Sequence, residues 1–170
     1  MQIVRLAAGK TIQLDERTRV EVLWPPAGSP PPPAVNDTSL VLRFVCDGRA
    51  ILLPGDAGAA PQAALLKEAN SLRADVLVLP HHGTWTVNLS AFVAAVNPRV
   101  ALVSRASEPH APGSGRMSTT AVPTGRLAAA GDFYARLRAA RRYSCTASSG
   151  WIQVVLIGPD PAVHTMQDAR

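Results

Sequence analysis

The sequence predicts a layered α/β domain, on three observations. Two apolar, β-branched runs, Ser39 to Cys46 and Arg49 to Leu53, flank Asp47-Gly48, a strong short-range signal for a tight hairpin. Downstream, short apolar strand patterns alternate with helical ones, the order from which α/β layers are built. At 170 residues the chain is also long enough for one domain, since chains of this size bury roughly 70% of the surface they expose when unfolded.

The elements follow in order. Val20, Val22 and Trp24 alternate through Arg19 to Trp24, a strand that ends at Pro25-Pro26. The prolines between Gly28 and Pro33 lock extended backbone and donate no hydrogen bonds, so 25–34 reads as a Pro-rich surface loop. The second hairpin strand stops at Pro54-Gly55-Asp56, and Ala57 to Leu72 reads as a helix with Ala60, Ala64 and Leu65 on its buried face. Asp75 to Leu79 is a short buried strand that delivers His81-His82-Gly83-Thr84 at its end. A helix over Leu89 to Val96, a strand over Val100 to Ser104 and one or two helical pieces around Gly131, within Ala121 to Ala140, come next. Strands near Arg142 to Cys145 and Trp151 to Ile157 close a domain of residues 1–158, leaving 159–170 as a loose tail.

The net charge of +5 is almost wholly arginine, because Lys10 and Lys67 are the only lysines. Arg99, Arg105, Arg116, Arg126, Arg136, Arg138, Arg141 and Arg142 face only Glu108 and Asp132 in the same stretch. That balance suits either a face steering a polyanion or a plain solvated surface. Cys46 and Cys145 lie in apolar runs without C-x-x-C spacing and read as buried thiols. Arg5 and Lys10 precede no continuous apolar core, so no signal peptide is expected. Prolines and charges interrupt every stretch before the roughly 20 apolar residues of a membrane span. Soluble, cytoplasmic behaviour is the expectation.

Asp56 and His81-His82 both fall just past the C-terminal ends of apolar strands joined by a helix, the edge where ligands bind in layered α/β proteins. A carboxylate and imidazoles gathered there suit a divalent ion such as Zn²⁺ or Mn²⁺. The bland reading makes Asp56 the N-cap of the following helix and leaves the histidines exposed in a loop. Likewise Asn36-Asp37 is either part of the site or a turn closing the proline loop.

The ordered strings Asn36-Asp37-Thr38-Ser39-Leu40-Val41-Leu42, Leu52-Leu53-Pro54-Gly55-Asp56 and Asp75-Val76-Leu77-Val78-Leu79-Pro80-His81-His82-Gly83-Thr84 resemble the metallo-β-lactamase-like domain of ComEC-type competence proteins. The resemblance runs from about Val20 to Val103 and more loosely to Val154. It implies the second half of an αββα layered fold, with Asp56 the carboxylate between metal ions, His82 a metal ligand and His81 a proton-handling neighbour. Asn36 stands where many relatives place another histidine ligand, and Asn36, Gly83, Thr84 and His110 are implied as substrate-binding groups, with Thr86 near them. His110 departs from the pattern, because Ala111 separates it from Pro112. The activity implied is metal-assisted hydrolysis of phosphodiesters in DNA uptake, on single-stranded DNA held by the arginines, in parent proteins of the bacterial inner membrane.

The His-x-His-x-Asp-His motif that builds the first metal site of such enzymes is absent, for the histidines are His81, His82, His110 and His164. Because catalytic zinc usually has three protein donors, the chain alone is expected to bind metal weakly. It is then a half that needs a complementary N-terminal half-domain or an accompanying membrane channel, a degenerate copy kept for binding, or a fold without activity. An incomplete sheet also leaves an edge that favours homo-oligomers. Two other functions remain open, a non-catalytic nucleic-acid-binding module that relies on Arg141 and Arg142, and a small-ester hydrolase of the same fold.

Overall fold

The computed structural model describes residues 5–28, 30, 34–106, 124–140, 143–156 and 160–166. Seven strands form one mixed sheet in sequential order: β1 (Thr11–Gln13), β2 (Thr18–Trp24), β3 (Val41–Cys46), β4 (Arg49–Leu53), β5 (Val76–Val78), β6 (Val100–Val103) and β7 (Tyr143–Cys145). β1 to β4 are antiparallel, whereas β4 to β7 run parallel. Parallel neighbours need crossovers. The first holds α1 (Ala59–Leu65) and a 3-10 run over Leu66–Leu72, the second α2 (Leu89–Val96), and the third includes α3 (Thr124–Ala139). A single helical turn, α4 (Thr146–Ser149), follows β7, and β8 (Ile152–Val155) pairs with β9 (Ala162–Thr165) as a separate ribbon. The structure is thus mixed α/β, as the strand–helix alternation predicts.

The hairpin between β3 and β4 closes as its sequence requires. Asp47 and Gly48 both have positive φ, 49° and 77°, and Cys46 pairs with Arg49 across them, the geometry that matches the twist of the flanking strands.

Alternation gives the sheet two unlike faces. On one, Val41, Val45, Ala50, Leu52, Leu77 and Val103 join Leu65, Leu89, Phe92 and Phe133 in a single buried core. On the other, Leu42 pairs with Leu53, Phe44 with Ile51 and Val78 with Leu102; these six apolar side chains stay partly exposed and lie outside that core. At the β2 margin the core face turns polar. Burial pushes the Glu21 carboxyl up, but hydrogen bonds from Arg43 and Arg19 outweigh it and hold it below the usual carboxylate range.

Several expectations need correction. The helix expected over Ala57 to Leu72 is α1 followed by the 3-10 run, broken where Glu68 leaves helical geometry (φ −116°, ψ 44°). Its buried face is Pro61, Gln62 and Leu65, while Ala60 is exposed and Ala64 half-buried. Gln62 lies fully inside because its amide is satisfied, donating to the Ala57 carbonyl at 2.9 Å and accepting from the Thr86 hydroxyl at 2.6 Å. Cys145 is buried as expected, but Cys46 is exposed, since it sits beside the turn at the sheet's end between Thr18 and Arg49. Around Gly131, where one or two helical pieces are expected, α3 is a single helix, the first of those alternatives. The tail expected to be loose contains β9, and the exposed edge strand β1 has no counterpart in the sequence reading. Arg116, His110, Arg141 and Arg142 lie outside the described residues. Among the described residues no helix is long and apolar enough to cross a membrane.

Phe92 is fully buried in the core and Ile12 is 36% exposed on the edge strand. Phe92→Ala is expected to lower stability by about 3–5 kcal/mol and Ile12→Ala by about 0.5 kcal/mol or less, both read from urea denaturation curves.

Candidate functional site

The candidate residues meet because of sheet topology. Since β4, β5 and β6 are parallel neighbours, the residues that follow them, Asp56, His81-His82 and Ser104, emerge at one rim. β3 runs antiparallel to β4, so the turn that precedes it, Val35–Thr38, reaches the same rim and brings Asn36 with it.

Asp56 follows Gly55, whose φ of 56° turns the chain off β4. Its backbone N–H donates to the Ser39 hydroxyl at 3.2 Å. The helix that follows is capped by Gly58 without a side-chain bond, so the carboxylate of Asp56 is not its N-cap. It points instead to His82, with Oδ1 3.6 Å from Nε2.

Pro80–Gly83 is a tight turn in which His81 (φ 49°), His82 (φ 52°) and Gly83 (φ 74°) are all left-handed. That conformation costs a residue with a Cβ roughly 1–2 kcal/mol, and strain of this kind persists only where the surroundings fix it. Here His81 N–H donates to the Gly55 carbonyl at 2.9 Å and Thr84 N–H to the His81 carbonyl at 2.8 Å. The Tyr134 hydroxyl, from α3, donates to the Gly83 carbonyl.

The tautomer of His82 follows from its partners. Nδ1 lies 2.8 Å from the Ser104 carbonyl oxygen, which only accepts, so Nδ1 carries the proton. In the neutral ring Nε2 then turns a lone pair toward Asp56 Oδ1. Two acceptors face each other at 3.6 Å, a spacing that a cation with bonds of roughly 2.0–2.2 Å to each could bridge. A backbone carbonyl on the far nitrogen is also how metal-binding imidazoles are commonly oriented. The Ser104 carbonyl is itself held, because Arg105 N–H donates to Thr146 Oγ1 and that hydroxyl donates back to the Arg105 carbonyl, each at 2.9 Å.

His81 faces a different partner. Its Nε2 lies 3.3 Å from Asn36 Nδ2, so the amide is positioned to donate to that nitrogen. Asn36 and Asp37 do occupy a turn, yet Asn36 also reaches the site. Gly83 is buried and its carbonyl is engaged by Tyr134, while Thr84 is exposed. The Thr86 hydroxyl is committed to Gln62 Oε1.

In atom type and spacing, Asp56 and His82 suit a divalent ion with ordinary bond lengths of roughly 2.0–2.2 Å. In number they fall short. Among the described residues no three His, Cys, Asp or Glu side chains converge to hold a metal, one donor fewer than a catalytic zinc site usually has. Three groups went unforeseen in the sequence. Ser104 had a usable signal, as the residue ending the third parallel strand. Ser39 and Tyr134 had none, for their roles arise from packing between distant segments.

No family model matches the chain. Over 70 residues, 41% of its length, it is 40% identical to Competence protein ComA of Neisseria gonorrhoeae. The chain is thus similar in part to a competence protein. The matched segment spans about a tenth of that relative, 10% of its length.

Two outcomes follow from the turn. Gly83 is left-handed, and an added Cβ would lie 3.4 Å from the Tyr134 hydroxyl and the Val103 methyls; Gly83→Ala is expected to cost about 1–2 kcal/mol, measured by chemical denaturation. Burial pushes the Tyr134 phenol up to about 12, against the opposing charges of Arg105 and Arg138. Because the folded value is raised above the ordinary value of about 10, the stability this group contributes is full below about pH 10 and is lost as pH rises through the folded value. Ultraviolet titration of the folded protein is expected to show the Tyr134 phenolate appearing above the ordinary value of about 10.

Proposed function

We propose that the chain is the second half of a metallo-β-lactamase-like hydrolase domain that acts on the phosphodiesters of DNA during DNA uptake. The observation that carries this reading is the Asp56–His82 pair: an imidazole anchored through Nδ1 to a backbone carbonyl, with Nε2 3.6 Å from a carboxylate oxygen at the C-terminal rim of a parallel sheet. Partial similarity to a competence protein supports the biological setting.

The half-domain part of the reading rests on two shortfalls that agree. The described residues offer two donors where a working ion needs about three. The sheet also keeps an apolar second face, on which Leu42, Phe44, Ile51, Leu53, Val78 and Leu102 are partly exposed beside buried Val20, Val22, Val76 and Val100. In an αββα fold a second sheet packs on that face and brings further donors to the rim, so a complementary N-terminal half-domain is the partner proposed.

In this reading Asp56 and His82 are the chain's ligands to Zn²⁺ or Mn²⁺. His81, with Asn36 beside its Nε2, holds or moves a proton at the same rim. Exposed Arg136 and Arg138 on α3 are offered to the phosphates of a single strand, a contact that weakens with salt. The shortage of donors favours a second reading as well, nucleic-acid binding without cleavage.

Retained Mn²⁺ and cleavage of single-stranded DNA, compared between the wild-type chain and His82→Ala, test the proposal. Weak Mn²⁺ binding is expected for the wild type. His82→Ala should weaken it by at least the roughly 10–100-fold that losing even a ligand's supporting partner produces. Equal metal binding by the two proteins would remove the hydrolase reading, and salt-sensitive DNA binding unaffected by His82→Ala would leave the binding module in its place.

A further inference from the structure

We propose that Tyr134 is a positioning residue for the histidine turn: its hydroxyl, donated from α3 to the Gly83 carbonyl, holds His81 and His82 in the left-handed backbone that aims their rings at Asn36 and Asp56. The inference rests on the geometry of the turn and stands apart from any reaction at the rim.

Three successive left-handed residues, two of them histidines, form an arrangement that the local sequence does not favour by itself. His81 N–H and Thr84 N–H are satisfied within the strand-end region. The hydroxyl of Tyr134 reaches the turn from a helix 51 residues away in sequence. The ring is 2% exposed and packs edge-on against Phe133, with centroids 5.0 Å apart, while Phe133 meets Trp85 at 5.5 Å. For packing alone, phenylalanine would serve at this position. A buried hydroxyl costs free energy unless it is bonded, and the partner it has found is the backbone of the turn. Gly83 is close enough to Tyr134 and Val103 that an added Cβ would touch both at 3.4 Å, so the turn closes directly onto α3 and β6.

A purely structural Tyr134 would change stability and leave the His82 ring as it is. A positioning Tyr134 sets whether Nδ1 meets the Ser104 carbonyl. The test is the tautomer ratio of the neutral His82 ring, read from imidazole ¹⁵N shifts in the wild type, Tyr134→Phe and, as a destabilised control in the same aromatic cluster, Phe133→Leu. Wild type and Phe133→Leu are expected to keep the Nδ1–H form dominant. In Tyr134→Phe the ratio is expected to fall about fivefold, the weight of one ordinary hydrogen bond. An unchanged ratio in Tyr134→Phe, or an equal fall in Phe133→Leu, overturns the proposal. Should Tyr134→Phe not fold, the wild-type hydroxyl proton decides. A slowly exchanging Tyr134 hydroxyl resonance with a cross-peak to Gly83 supports the proposal, and rapid exchange with solvent overturns it.

Discussion

The Ser104 carbonyl and the Nδ1 of His82, 2.8 Å apart, fix the chemistry of the whole rim. A carbonyl oxygen accepts and never donates, so this contact assigns the ring's one proton to Nδ1 and leaves Nε2 as an acceptor opposite the Asp56 carboxylate. Everything nearby serves that alignment. Thr146 brackets the backbone beyond Ser104, Ser39 receives the N–H of Asp56, and the left-handed turn presents His82 outward while His81 turns to Asn36.

The sheet makes this alignment possible by changing direction once. Antiparallel order from β1 to β4 and parallel order from β4 to β7 bring three strand ends and one strand start to a common edge, where backbone groups are free to bind side chains and ligands. The same sheet buries one face under helices, while on its other apolar face Val20, Val22, Val76 and Val100 are buried and Leu42, Phe44, Ile51, Leu53, Val78 and Leu102 partly exposed.

Much of this was legible in the sequence, and the reasons differ by element. The β3–β4 hairpin was readable because Asp47-Gly48 supplies two positive φ angles between β-branched runs. The meeting of Asp56 with the His81-His82 turn was readable from strand ends joined by a helix, whereas strand topology does not say which of the two rings faces Asp56, as His82 does. The Ala57 to Leu72 helix was misjudged because alanines there favour helix on either side of the break at Glu68, and the buried amide of Gln62 outweighed its polarity through two hydrogen bonds. Cys46 was misplaced because an apolar run does not reveal which of its residues ends beside a turn. Tyr134 and Ser39 act across 51 and 17 residues, and no local pattern encodes such contacts.

Whether a cation seats between Asp56 and His82 is read from paramagnetic broadening in the ¹H–¹⁵N spectrum on stepwise addition of Mn²⁺. Signals of Asp56, His82 and Ser104 are expected to broaden first, at the lowest Mn²⁺ added. Broadening that begins at other carboxylates, such as exposed Asp15 and Glu16, or spreads evenly over the surface acids would contradict that placement.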